Sequence, residues 1–212
     1  MEIPYHDRER TKYQMVAYTF EKIASMNKIG PVDSTAVNEA RAWYMNNTKK
    51  LGNITTNNLA ADKDRLVNNL NKFSIGRMYM FYYDAKYKKE LPYWDRFPLI
   101  FPIEMYADGF LGINLHYISP LARAKLMDAL YSTINNKKND DTTRLTISYK
   151  ILKNASQFSY FRPCVKRYLY SQVKSRYFYI TPAEWDTTIL LPTEQFVGAD
   201  KSKVYRDSSK QF

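Results

Sequence analysis

The chain has one cysteine, Cys164, and two histidines, His6 and His116, in 212 residues. A lone cysteine excludes an intrachain disulfide and suits assembly in a reducing cytoplasm. Cys164 has no histidine near it in sequence to activate it as a nucleophile, and two distant histidines give no zinc-binding spacing. Glycine is scarce, at six residues. Gly109 and Gly112 have no lysine–serine sequel, so no phosphate-binding glycine loop is present. A G-x-S-x-G serine elbow is missing too. No run approaches the roughly eighteen apolar residues that a membrane span needs. The N-terminus lacks a charged-then-apolar leader pattern. The expectation is therefore a protein with no cofactor, no metal, no small-molecule substrate and no membrane partner, and not an enzyme.

The other conspicuous lack is of acid. Thr142–Ala183 holds no aspartate or glutamate, while it carries Arg144, Lys150, Lys153, Arg162, Lys166, Arg167, Lys174 and Arg176. Aromatic residues interleave with these cations, among them Tyr149, Phe158, Tyr160, Tyr168, Tyr170 and Tyr177. The whole chain has a formal net charge of +11. That balance favours a polyanionic partner: nucleic acid, an acidic protein surface or a membrane headgroup. Basic side chains neutralise phosphates and flat rings stack on exposed bases. The same residues also suit a basic protein–protein surface, with the rings as anchors. No RNA-binding or helix-turn-helix pattern is present, which argues against sequence-specific reading. A nuclease site would usually show a lysine two residues beyond one of its acids; Glu104 is followed by Met105 and Tyr106, and Asp84, Asp95, Glu104 and Asp108 read as loop and turn acids.

What the chain has in quantity is tyrosine, nineteen residues. Phe73–Tyr117 is dense in aromatics and broken by proline and glycine, which suits a β unit. Gly76–Asp84 reads as a strand with Met78, Met80 and Tyr82 on one face and Tyr79, Phe81 and Tyr83 on the other, both covered. Ala85–Glu90 is a lysine-rich exposed loop. Pro98 and Pro102 bracket Leu99–Phe101, which implies a short, edge-like or bulged strand. Ala107-Asp108-Gly109 is a turn, and Phe110–Ile118 a third strand. The fold class is α+β: a small, strongly twisted β unit flanked by N-terminal and C-terminal helices, with extended termini. An SH3-like barrel and an irregular three-stranded sheet packed on helices both fit the β unit.

Periodicity divides the chain into a helical N-terminal segment with an arm (1–72), the β unit plus its following helix (73–134), a basic aromatic segment on the same core (142–198) and an extended tail (199–212). Within 1–72, helices are expected over Arg8–Met26, from Asp33, and over Leu59–Leu70. Ser119-Pro120 caps a helix whose stripe is Ala122, Leu126, Ala129 and Leu130. Arg144–Asn154 fits helix or strand. Pro163 opens a short helix through Ser171, Tyr177–Ile180 is a strand, and Thr181–Glu184 is a capping box.

Three stretches carry a family resemblance: Gly76–Lys86, Leu91-Pro92-Tyr93-Trp94-Asp95-Arg96-Phe97-Pro98-Leu99, and Asp108–Tyr117. They resemble virion proteins of T-even-type contractile-tailed phages, over about residues 73 to 131. The resemblance implies a structural protein of the particle, at the tail, baseplate or neck, assembled in the host bacterial cytoplasm and contacting other virion proteins. It implies no catalytic residues. The leading reading is a non-enzymatic virion component that bridges neighbouring subunits through its termini and its basic, tyrosine-rich surface. The alternative is a nucleic-acid-binding phage protein that uses the acid-free stretch 142–183.

Overall fold

The computed structural model describes residues 22, 25, 26, 66, 67, 73–134 and 140–209. Lys22, Ser25 and Met26 are helical, as the period of Arg8–Met26 predicts for them. The expected helix from Asp33 and most of segment 1–72 lie outside the described residues.

Strands Leu66–Val67 (β1), Met78–Met80 (β2), Leu99–Tyr106 (β4), Gly109–Asn114 (β5), Val165–Leu169 (β6) and Tyr177–Ile180 (β7) form a six-stranded sheet in the order β1-β7-β2-β4-β5-β6. Every pairing is antiparallel. Trp94–Asp95 (β3) and Phe196–Val197 (β8) make a separate two-stranded ribbon. The helices are Pro120–Ile134 (α1), Asp141–Gln157 (α2), Trp185–Thr188 (α3) and Lys201–Ser209 (α4).

The α+β class holds, but the sheet is open. Among the described residues β1 and β6 are its edges and do not pair with each other, so no barrel closes. After the exposed turn 86–90 the chain forms β3, which pairs with β8 outside the sheet, and then returns as β4 beside β2. Met78–Phe81 are all buried, so both faces of β2 are covered as its two apolar sets predict. β4 is longer and more central than expected, running eight residues in the middle of the sheet, while the expected bulge is present as a register shift between Pro102 and Glu104. The bulge is what lets a central strand hold a proline, which has no N–H for the ladder. Gly109 begins β5 where a Cβ would lie 1.9 Å from the Tyr168 carbonyl oxygen, so no side chain fits there.

One face packs on helices. Met78, Met80, Leu99, Phe101, Ile103 and Ile113 meet the α1 stripe of Ala122, Leu126 and Leu130 and the α2 residues Ile151, Leu152 and Ala155. α1 starts at the predicted cap, where Ser119 Oγ accepts from the Ala122 N–H. The open choice over Arg144–Asn154 resolves to helix, because Asp140 N-caps it through Thr143 N–H (2.8 Å) and its i, i+4 apolar pair Ile151 and Ala155 faces the sheet. The opposite face is aromatic. Phe73 lies 4.4–4.8 Å, centroid to centroid, from Tyr79, Phe110 and Tyr177, and Phe81 lies 5.4 Å from Tyr168. Edge and tilted ring contacts of this kind add about 0.5–1.5 kcal/mol per pair beyond area burial.

Three expected elements differ. Leu66 and Val67, read as helix, pair as β1 with Phe178 and Tyr177, so a strand partner overrides a weak helical spacing. Pro163 sits inside a 3-10 turn, Ser159–Cys164, and the following residues form β6 because Val165–Leu169 complete the ladder on β5. The tail is not extended. Asp200 accepts from Lys203 N–H at 2.7 Å and starts α4, which buries Val204 completely.

Arg123 of α1 is 2% exposed and holds this corner together. Its Nε donates to Ile118 O (3.0 Å), Nη1 to Ile189 O (2.8 Å), and Nη2 to His116 O (3.3 Å) and Tyr205 Oη of α4 (2.6 Å).

Candidate nucleic-acid interface

Carboxylates near the β unit do not converge. Asp84 pairs with Lys88 at 2.9 Å, Glu104 with Lys153 at 2.9 Å, and Asp108 with Arg167. Asp95 is no loop acid. It is buried, its Oδ2 is 2.7 Å from His116 Nδ1 and accepts from Asn114 Nδ2, and its Oδ1 accepts from the N–H groups of Phe97 and Gln195. Burial pushes its carboxyl up, but the adjoining His116 and these hydrogen bonds outweigh that, and the net is below the ordinary aspartate range. His116 Nε2 lies 3.2 Å from Thr193 Oγ1. Carboxylate, imidazole and hydroxyl stand in the order of a nucleophilic relay, yet His116 is 0% and Thr193 3% exposed. Buried in this way, the row braces the Leu115–Tyr117 turn against the β3–β8 ribbon. Among the described residues no three of His, Cys, Asp and Glu group as metal ligands. No described helix is long and apolar enough to cross a membrane.

The cations of the acid-free stretch are not one patch. Lys150 and Lys153 lie on α2, Arg162 on the 3-10 turn, Lys166 and Arg167 on β6, and Lys174 and Arg176 in the segment before β7. Arg144 belongs to α2. Several are engaged within the chain. The Lys153 ammonium is raised by its hydrogen bond to Glu104. The Arg167 guanidinium sits 4.2 Å from the Tyr106 ring centroid besides pairing with Asp108. Lys166 lies 4.2 Å over the Tyr117 ring, and burial pushes its ammonium below the usual lysine range. Lys150, Arg162, Lys174 and Arg176 are exposed.

Lys174 and Arg176 have company that their position in the chain did not announce. Lys174 N–H donates to Tyr82 O (2.8 Å), Asp84 N–H donates to Gln172 O (3.0 Å), and Tyr83 bridges Val173. These bonds bind segment 172–176 to the strand that leads into the turn Lys86-Tyr87-Lys88-Lys89-Glu90, all of it exposed. Exposed Arg96 joins them, since its carbonyl accepts from Tyr83 N–H at 2.9 Å. One end of the sheet thus gathers Lys86, Lys88, Lys89, Arg96, Lys174 and Arg176 against Asp84 and Glu90. The turn is fixed by Lys88 N–H to Ala85 O (3.3 Å) and by Glu90 and Leu91 N–H to Tyr87 O (2.9 and 3.0 Å). Tyr87 is 54% exposed, and the Lys86 ammonium lies 5.3 Å from its ring centroid. The lysine-rich composition of 85–90 shows in the sequence, but its union with 172–176 depends on cross-chain pairing.

A basic, ring-bearing end of this kind suits a phosphate backbone and its bases. No curated protein and no solved structure matches the chain. The family model for the phage T4 terminal DNA protecting protein matches residues 11–211. That span leaves only the ends unmatched, and the chain belongs to the family of the phage T4 terminal DNA protecting protein.

Proposed function

We propose that this chain is a DNA-associated phage protein that covers duplex termini, using the basic end of its sheet and acting by binding without turnover. The observation that carries the reading is the pairing of segment 172–176, which carries exposed Lys174 and Arg176, with Tyr82–Asp84 at the base of the exposed turn 86–90, in a chain whose family is that of a terminal DNA protecting protein. Membership in a T4 phage family agrees with the T-even resemblance, and it favours the nucleic-acid alternative over a tail or baseplate rivet. Carriage in the virion and contact with other virion proteins belong to this proposal as well. The absence of turnover is supported by the pairing of Asp84, Glu104 and Asp108 with Lys88, Lys153 and Arg167.

The test compares a linear duplex with a covalently closed circle of the same sequence. Binding is followed by fluorescence anisotropy over a salt series, and protection by digestion with a processive exonuclease. Expected are tighter binding to the linear form, slower digestion, and a log–log salt slope of about −0.9 per phosphate contacted. No binding at low salt, or equal affinity for circle and line, would reject the proposal.

A further inference from the structure

We infer that Tyr87 is the residue that recognises a DNA terminus, by stacking its ring on the exposed outer face of the last base pair. The inference rests on the proposed DNA-end function and names the feature by which an end differs from the middle. Along a duplex every base pair is covered above and below by its neighbours. Only the terminal pair has an uncovered π-face. A protein that binds ends without regard to sequence needs a flat apolar group that meets this face and cations that meet the phosphates beside it.

The turn 86–90 offers both. Among the described tyrosines, Tyr79, Tyr83, Tyr117, Tyr168 and Tyr177 are buried and only Tyr87 and Tyr106 (42%) are exposed. Tyr87, at 54%, is the most exposed large hydrophobic side chain among the described residues. It occupies the tip of a turn whose hydrogen bonds fix the Tyr87 carbonyl, so the ring is presented from a held backbone. The Lys86 ammonium at 5.3 Å lies over the ring by cation–π attraction. A base pair stacking on the opposite face of the ring therefore meets a ring already backed by a positive charge. Lys89, Lys174 and Arg176 are exposed around the same end and supply further phosphate contacts. Lys88 is directed inward to both Asp84 oxygens at 2.9 Å and serves the turn itself. Leu91, 43% exposed, extends the apolar tip by one side chain.

Three forms of one duplex test this: open at one end with the other closed by a hairpin loop, closed at both ends, and open with 2-aminopurine as the last base. Wild-type protein is expected to prefer the open form and to change the 2-aminopurine emission. Tyr87→Ala should lose about 5- to 150-fold in affinity for the open form, the range for removing one stacked ring, and nothing for the closed form. Tyr87→Trp should keep the preference and the emission change. Lys89→Ala should weaken both forms alike and reduce the salt slope by about one contact. Tyr87 is a surface residue, and an unchanged melting temperature of the alanine variant verifies its fold. If the wild type prefers open ends and Tyr87→Ala keeps that preference, the stacking inference is wrong and end binding stands. If the wild type shows no preference, both fall.

Discussion

Replacing Arg123 by methionine should lower the stability of the isolated protein by about 3–5 kcal/mol. Methionine keeps an apolar stem and supplies no donor. The carbonyls of Ile118, Ile189 and His116 then lose their guanidinium partners in a corner where Arg123 itself is 2% exposed. An unsatisfied buried acceptor costs roughly 1–3 kcal/mol, so these together set an upper bound of about 9 kcal/mol. Two effects reduce it. A buried cation no longer has to be kept out of water, and carbonyls relax toward other donors or solvent. Tyr205 Oη is only half-buried and is discounted. For a chain of this size the loss corresponds to a fall in Tm of roughly 6–20 °C. Urea titration followed by circular dichroism measures it directly. Arg123→Lys should rescue little, because an ammonium does not match donors arranged as a planar fork. Tyr205→Phe should lose about 1.5–3 kcal/mol, as for a hydrogen bond to a charged group. The double variant should be less destabilised than the sum, with a coupling of at least about 0.5 kcal/mol. A loss below about 1 kcal/mol for Arg123→Met, the scale of an ordinary surface change, would refute the view that this side chain joins α1, the Ile189 turn and α4.

Asp95 makes stability depend on acid: its carboxyl is lowered in the folded state, so the unfolded chain takes up the proton first. Its contribution is complete above the ordinary carboxylate range and should be lost as pH falls through about 4 and below, a slope that urea titrations at several pH values should show in the wild type and find reduced in Asp95→Asn. Asp95→Asn should itself be destabilising by about 3–5 kcal/mol, since its amide would face the donors of Asn114 and His116. Cys164 is buried, its Sγ donates to Phe161 O, and burial pushes its thiol up to about 12, so the native protein should resist alkylation at neutral pH and react in urea; rapid native labelling would contradict this. Lys174→Glu with Arg176→Glu should weaken DNA binding and flatten its salt dependence. Lys153→Met, which removes a cation already held by Glu104, should change binding far less, and an equal loss would move the interface to the α2 side.

Elements with strong local signals were legible. Ser119-Pro120 announced α1, Thr181 and Glu184 formed the expected box with Thr181 N–H donating to Glu184 Oε2 at 3.2 Å, and the alternation of Met78, Tyr79, Met80 and Phe81 marked a strand covered on both faces. What escaped notice depends on contacts far apart in the chain. Lys201–Ser209 is polar, and its one fully buried apolar residue, Val204, gives no period to read; Asp200 as a cap was the available sign. Leu66–Val67 is strand only because β7 lies beside it. Asp95 looked like a turn acid because its partners, Asn114, His116 and Gln195, arrive from other elements. For the interface, the charge of Lys174 and Arg176 was legible, while their fellowship with the 86–90 turn came from hydrogen bonds at Tyr82 and Asp84. Lys153, Lys166 and Arg167 counted as available cations until Glu104, Tyr117 and Asp108 proved to lie against them.

The outer strand β6, Val-Lys-Arg-Tyr-Leu, leaves one side of the sheet without a partner strand among the described residues. Such a border invites a second molecule to add on. Here 3-10 turns at Ser159–Cys164 and Tyr170–Gln172 clip it to five residues, and its two cations are held within the chain, Lys166 over the Tyr117 ring and Arg167 by Asp108. The shortness of this border limits what a second copy could pair with. Swapping both for valine would write Val-Val-Val-Tyr-Leu along the border, a sequence of the sort that seeds fibrils.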